Sequence, residues 1–561
     1  MRKPINSLDF GFPNNQLMHL PSTRAFINCA ACIVLISLAA ACSNSKSTSP
    51  EAKVAFDRVI PKPVSANATG KTFLITANTA IVADNASEGL TDVANYLAEN
   101  LKTMTGLSLS VSSKESKGAI VLSLDGGSSN LGDEGYELTV DENQIKIVAN
   151  KPAGVFYGTQ TLRQIIADKA ENASGNEWEI ATGTITDHPE YKWRGSMLDV
   201  ARHFFKVEDV KRYIDLLSYY KLNILHLHLS DDQGWRIEIK SWPNLTAIGG
   251  QSQVGGGKGG FYTQEQYKDI VAYAQSRFIT IVPEIDLPGH INAALISYPD
   301  ELLPGPPIKL EPGEKPRPIA GQPHYGIEVG FSTLSLKKPS TFKFVNDVIR
   351  EISAITAGPY FHVGGDEAQV TKKQDYIEFV NRFKEIVKAN GKKMIGWEEI
   401  AQADLDSTAI VQFWHSRDHA TTAAEKGARL IFSPSTKVYL DMQYDSTSRI
   451  GLHWAAYIEV DSSYQWDPAK LVPGIGRESI VGVEAPLWTE TVVTMEDIEY
   501  LVFPRLPGIA EVGWTPSSSR NWDEYKVRLA NHAKPWKAMG IDFYRSSKVP
   551  WADEAKAEAK P

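Results

Sequence analysis

At 561 residues, with 42% hydrophobic and 22% charged side chains, the chain is globular in composition and suits two domains better than one. Its net charge of -9 comes without a basic stripe, which argues against nucleic acid as a partner, because phosphate binding needs clustered Lys and Arg. All three cysteines, Cys29, Cys32 and Cys42, lie near the start, so the body of the protein has no disulfide and no thiolate nucleophile, and zinc-finger and cysteine-hydrolase classes drop out.

Arg24 precedes an apolar stretch from Ala25 to Ala41, followed by Cys42-Ser43-Asn44. A basic start, an apolar segment and small residues before a cut describe an export signal. Ala39-Ala40-Ala41-Cys42 resembles a bacterial lipobox, with Ala39 where Leu is usual. The expectation is a lipid anchor on Cys42, and an exported protein of the cell envelope, either an outer-membrane lipoprotein or periplasmic. Plain cleavage near Ala41 is the alternative; a retained span is disfavoured, since about 17 apolar residues are short for a bilayer. Residues 1–42 are thus read as signal and 43–53, rich in Ser, Thr, Pro and Lys, as a tether.

Residues 54–187 have a mixed pattern. Thr72-Phe73-Leu74-Ile75 and Ile145-Lys146-Ile147-Val148 read as strands. Val93, Leu97, Leu101 and Met104 recur at helical spacing in a helix that Gly106 ends, and a second helix is expected from about Gly154 to Ile166. The sum is a small α+β domain without chemistry of its own.

From Tyr191 the texture changes to short apolar runs alternating with helices. Strands are expected at Gly195 to Val200, Ile224 to Ser230, Ile279 to Asp286, Tyr360 to Gly365, Lys393 to Trp397, Ile410 to Trp414, Leu430 to Ser433 and Val481 to Trp488. Helices are expected over Val207 to Tyr220, Gln264 to Ser276 and Met495 to Glu511. Eight strand-then-helix units predict an α/β fold, a closed (β/α)8 TIM barrel over 188–545, with 546–561 as a charged tail. Leu303 to Pro323 reads as an irregular insertion. Gly255, Gly257 and Gly260 read as a loop beside the site, since no strand leads into them.

A barrel works at the C-terminal ends of its strands. Those ends carry Arg202, Asp231-Asp232, Glu284, Asp286, His290, Asp366-Glu367, Trp397, Trp414, Tyr439, Asp441, Trp488 and Glu490. Acids and aromatics with one Arg, and no nucleophilic Ser or Cys arrangement, describe a glycosidase better than an esterase or protease. The 13 Trp and 21 Tyr suit a sugar ligand, though a large core accounts for them nearly as well. Two other readings stay open. His226 and His228 face one side of a strand and could hold a metal together with Glu284, Asp286 or His290, as in metal-dependent barrel hydrolases. A non-catalytic glycan-binding lipoprotein is the other.

The ordered motifs Arg202-His203-Phe204, His226 through Arg236, Pro283 through His290, His362-Val363-Gly364-Gly365-Asp366-Glu367, Gly396-Trp397-Glu398-Glu399, Tyr439-Leu440-Asp441 and Trp488-Thr489-Glu490 resemble the β-N-acetylhexosaminidases of glycoside hydrolase family twenty. The segment Gly154 through Arg163 resembles the small domain before that family's barrel. The resemblance implies an exo-acting retaining enzyme, without metal or cofactor, that takes an oligosaccharide with a terminal N-acetylhexosamine. The substrate's own acetamido oxygen would be the nucleophile. Glu367 would be the acid/base with a raised pKa, Asp366 the ionised partner of the acetamido group, and Tyr439 the donor to its carbonyl oxygen. Trp397, Trp414 and Trp488 would box the methyl group. Arg202, Asp441 and Glu490 would bind hydroxyls, and Trp454 would stack on the sugar or its neighbour. Asp231, His290 and His362 would support the acids from behind.

Overall fold

The structure, a computed structural model, describes residues 56–552 except 85–86, 88, 115, 125, 168–176 and 304–317. The expected signal with Cys42, the tether, most of the Leu303 to Pro323 insertion and the end of the charged tail lie outside the described residues. Among the described residues no helix is long and apolar enough to cross a membrane.

The small domain is built on β1 (Ser65–Ile75), β2 (Ala80–Ala83), β3 (Ser110–Ser112), β4 (Ile120–Ser123), β5 (Tyr136–Val140), β6 (Ile145–Ala149) and β7 (Trp178–Asp187). They form one mixed sheet in the order β1-β7-β5-β6-β4-β2-β3. Helix Leu90–Thr105 turns Leu90, Val93, Leu97 and Leu101 to the core and stops at Gly106, whose φ of 76° suits glycine. Helix Pro152–Ala167 is buried over nearly its whole length. One side meets the sheet; the other meets the barrel, where Gln164 Nε2 donates to the carbonyls of Ile60 and Tyr219.

All eight expected barrel strands are present: β8 (Trp193–Asp199), β9 (Ile224–His228), β10 (Thr280–Glu284), β11 (Tyr360–His362), β12 (Lys393–Trp397), β13 (Ile410–Phe413), β14 (Arg429–Phe432) and β15 (Ile480–Leu487). They pair in parallel and close, β15 returning to β8 with Gly482 opposite Trp193. Residues two apart on a strand share a face, and this period stacks the interior in layers. The floor is apolar: Trp193, Ile224, Val282, Ile395, Ile410 and Ile431, with Tyr360 packed beside them. Two residues further along the strands come His226, Glu284, His362, Gln412 and Glu484, all buried. Above them Met197, Trp397, Tyr439, Met442, Ile458 and Trp488 form an aromatic-rich top.

Two expectations need correction. The helix expected over Met495 to Glu511 is two, Met495–Val502 and Arg505–Trp514. Pro504 lacks the N–H that a continuous helix would use there. The charged tail begins later than expected, because Ser546, Val549 and Trp551 are buried against the barrel and Trp551 Nε1 donates to the Ser546 carbonyl.

The domains meet through buried charge. Lys221 Nζ lies 3.1 Å from Asp187 Oδ2 and 2.9 Å from Tyr136 Oη, and Trp514 Nε1 donates to Asp187 Oδ1 at 2.8 Å. Arg194 forks onto Glu134 at 3.0 and 2.9 Å.

His532 fastens the beginning of the described chain to the barrel. Its Nδ1 accepts from Tyr220 Oη at 2.9 Å, and its Nε2–H donates to the Arg58 carbonyl at 3.1 Å. Burial leads the effects that lower its pKa to about 4, so the ring is neutral when folded. The unfolded chain, titrating near 6.5, takes the proton first. The stabilisation is therefore lost as pH falls from about 6.5 to about 4, on the order of 3 kcal/mol in all. Replacing His532 by Gln should flatten the fall of melting temperature with pH across that window; an unchanged slope would show that other groups govern it.

Candidate active site

The strand ends converge on a cavity of about 470 Å³ lined by Arg202, Asp366, Glu367, Trp414, Tyr439, Asp441, Trp454, Trp488 and Glu490. Ile327, Val329, Leu452 and His453 complete the lining. The cavity is blind, since the aromatic top, the polar layer and the apolar floor close the barrel beneath it. A larger groove of about 770 Å³ lies on the barrel's outside, near Phe342 and Arg382, away from every strand end named above.

Local backbone explains how two adjacent acids reach this place. After β11 the chain turns through Gly364 and Gly365, with φ of 66° and 100°. A Cβ on Gly364 would overlap the Asp286 carboxylate, and Gly365 N–H donates to Asp286 Oδ1 at 2.9 Å. Glu367 itself has φ 44° and His290 has φ 48°, a left-handed conformation that costs a non-glycine residue about 1 kcal/mol or more. Backbone strain of this kind concentrates at functional sites.

His290 Nε2 stands 3.6 Å from Glu367 Oε2 and 3.8 Å from Asp366 Oδ2, while its Nδ1 lies 3.2 Å from Asp231 Oδ1. Burial alone would deprive His290 of its proton, but Asp231 and Asp286 outweigh it and hold the ring cationic. Asp231 is itself held by Arg202 at 2.8 Å and by His228 Nε2 at 2.9 Å. Arg202 also meets Asp199 at 3.3 Å and lies over Trp488, 4.8 Å from its ring centre.

The carboxyls differ in proton affinity. Burial, then the neighbouring Asp366 charge, pushes Asp286 well above its usual range. Burial also raises Asp366, against the pull of His290. For Glu367 burial again raises the pKa, but the nearby cationic His290, with Arg202 beyond, wins and leaves it lowered. This corrects the expected raised value. A sequence cannot show that a cation faces the carboxyl.

The aromatic residues divide. Trp414 stacks with Tyr439 (6.4 Å between centres, 21°), and Trp454 meets both rings edge-on. Trp454 is 55% exposed at the rim. Trp397 lies outside the lining: it is buried, packs against Trp488 at 5.8 Å and donates its N–H to Glu284 Oε1 at 2.9 Å. His362 is buried beside it, with Nδ1 3.0 Å from Glu284 Oε1. Asp441 has both carboxylate oxygens buried without a protein partner, and Glu490 has one, which leaves them available to a hydroxyl ligand. Burial, then the charge of Glu490, pushes Asp441 well above its usual range.

The histidines of the metal reading are used otherwise. His228 lies between Glu284 Oε2 (2.6 Å) and Asp231 Oδ2 (2.9 Å), so both its nitrogens donate and the ring is a cation. His226 Nδ1 donates to Glu484 Oε1 at 2.8 Å and its Nε2 is 2.9 Å from Glu284. A metal ligand must present a free nitrogen lone pair, which the doubly donating His228 lacks; His226 Nε2 lies beside Glu284 without a hydrogen bond to it. Glu284 and Asp286, which the sequence placed among the strand-end acids and as possible metal ligands, were given no part in supporting the site; their spacing of two was the available signal. Ile327 and Val329 carried no signal at all.

A blind, aromatic-walled cavity with paired carboxylates at the top of a barrel defines a glycosidase. Residues 191–517 match the description "Glycosyl hydrolase family 20, catalytic domain", and residues 57–188 match the same family's domain 2. The chain belongs to glycosyl hydrolase family 20, that of the β-N-acetylhexosaminidases. It is 40% identical to the Beta-N-acetylhexosaminidase of Cellulomonas fimi over 89% of this chain and 98% of that protein. It is 34% identical to a Beta-hexosaminidase of Porphyromonas gingivalis over 92% of this chain and 68% of the relative. Among solved structures, the Streptomyces plicatus N-acetyl-beta-hexosaminidase in complex with Thio-NAglucal superposes with a TM-score of 0.83 at 47% identity, covering 90% of this chain and 99% of that one.

The electrostatics give a test. Replacing His290 by Asn removes the cation that lowers Glu367, so the Glu367 pKa should rise. The alkaline limb of kcat/KM should then move to higher pH while the rate falls; an unmoved limb would detach Glu367 from His290.

Proposed function

We propose that the protein removes single terminal, non-reducing β-linked N-acetylglucosamine or N-acetylgalactosamine residues with retention, using the substrate's 2-acetamido oxygen as nucleophile. The observation that carries this reading is the blind cavity whose polar end is the adjacent pair Asp366 and Glu367 and whose wall is Trp414, Tyr439 and Trp488. A blind pocket admits a chain only by its end, which favours exo action. A solved variant of the Streptomyces plicatus enzyme is described in complex with product GlcNAc, which agrees with a pocket for one sugar.

In this mechanism Glu367 protonates the departing glycosidic oxygen as the acetamido oxygen attacks the anomeric carbon and the bond to the leaving group breaks. Binding brings water-free surroundings that raise Glu367 from its lowered free value. Asp366, acting as the anion, faces the acetamido N–H and offsets the positive charge of the oxazolinium. Tyr439 donates to the acetamido oxygen and holds it in line. Glu367 then takes a proton from water, which attacks the same carbon from the vacated side as its bond to the acetamido oxygen breaks and the acetamido group re-forms, so two inversions give retention. Arg202, Asp441 and Glu490 bind ring hydroxyls, where leaving a buried partner unpaired penalises the wrong sugar. Trp454 meets the sugar or the residue that follows it. Asp231, His290 and His362 support these groups without touching substrate.

Paired nitrophenyl β-glycosides test the nucleophile. The 2-acetamido compound should be cleaved and its 2-hydroxyl counterpart should not; comparable cleavage of both would mean a protein nucleophile. Replacing Glu367 by Gln should lower kcat by roughly 100-fold or more on the first substrate.

We also propose that the protein is exported and anchored to the cell envelope through lipidated Cys42. This rests on Arg24, the apolar run to Ala41 and the small residues around the cysteine. A fatty-acid analogue fed to cells should label the wild type and not Cys42→Ser; an unlabelled wild type would mean plain secretion or a periplasmic form.

A further inference from the structure

We propose that Glu284, which does not line the cavity, is a positioning residue that ties the indole behind the cavity wall to the histidine–aspartate chain serving Glu367. The inference rests on the reading of Glu367 as the acid. Glu284 ends β10, wholly buried in the polar layer. One of its oxygens, Oε1, accepts from Trp397 Nε1, and Trp397 packs on Trp488 of the cavity wall. The other, Oε2, accepts from His228 Nδ1; His228 Nε2 donates to Asp231, and Asp231 holds both His290 and Arg202. One carboxylate thus grips the wall with one oxygen and the proton-handling groups with the other.

The charges along the chain alternate: Glu484, His226, Glu284, His228, Asp231, His290, Glu367. The geometry demands this. His228 can bridge two carboxylates only as a double donor, and a buried cation needs both counter-ions. Glutamine at position 284 has one acceptor oxygen. The Trp397 N–H cannot accept, so the amide must keep its oxygen there and turn its NH2 toward His228. His228 Nδ1 must then accept, the ring loses its charge, and Asp231 loses one of the cations that keep it ionised against His290. The wall stands while the supply of the proton to the leaving group weakens.

A leaving group that departs as a stable anion needs little protonation; a sugar alkoxide needs it fully. The test compares kcat on a dinitrophenyl β-N-acetylglucosaminide with kcat on the β-linked N-acetylglucosamine disaccharide. Glu284→Gln should lose roughly tenfold or more on the disaccharide and only about twofold on the aryl substrate. His228→Asn keeps the donor to Glu284 but cannot reach Asp231, and should show the same imbalance, which decides the matter if Glu284→Gln does not fold. Trp397→Phe, which loses only the wall arm, should raise KM on both substrates with the ratio of kcat values unchanged. A folded Glu284→Gln whose two rates are both unchanged, or fall by the same factor, would overturn the proposal. If Glu367→Gln itself shows no such imbalance, the assignment of the acid fails instead.

Discussion

Negative charge enclosed in the barrel has to be matched inside the barrel. Glu284, Glu484 and Asp231 are each almost fully buried, and an unpaired buried carboxylate costs several kcal/mol. The match comes from His226, His228, His290 and Arg202, spaced so that each carboxylate meets at least one cation. The aromatic top of the barrel rests on this layer through the Trp397–Glu284 hydrogen bond, and the adjacent carboxylates Asp366 and Glu367 reach it through His290 and Asp231. The apolar floor below denies the layer any water from that side. Pocket shape and proton affinity in this enzyme therefore share one support.

The adjacency of Asp366 and Glu367 looks wasteful until their surroundings are compared. Neighbouring residues in an extended chain point apart, and the left-handed turn at Glu367 swings the second acid further round. Asp366 settles beside Asp286, and Glu367 within reach of the cationic His290. Two chemically similar side chains thereby acquire different proton affinities from different neighbours, Asp366 raised by burial and Glu367 lowered by the histidine.

The sequence made the barrel legible because each strand is an apolar run of the right length with its chemistry at one end. All eight runs became strands, and the ordered motifs named residues that meet at one cavity. Less was visible wherever the outcome depends on contacts distant in sequence. The lowered Glu367 pKa depends on His290 approaching from another strand end. Trp397 reads as a wall residue by position, yet its N–H is claimed by Glu284 beneath. Glu284 and Asp286 look like metal ligands in a list of strand-end residues and like supports of the site only once their neighbours are in place. Ile327 and Val329 come from a loop whose pattern says nothing of the cavity. The helix break at Pro504 was in plain view: proline was the signal, outweighed by the apolar period around it.

Trp514 ends the barrel helix Arg505–Trp514, yet its ring belongs to the core of the small domain, beside Tyr157 and above Lys221. The line between the two family descriptions near residue 190 therefore divides the sequence without dividing the stability. Cut there, the small domain would keep a tryptophan-sized hole, and the barrel would present a large indole and a lysine to water. The two parts must be inherited, expressed and unfolded together, and the small domain is better regarded as the barrel's base than as an appendage.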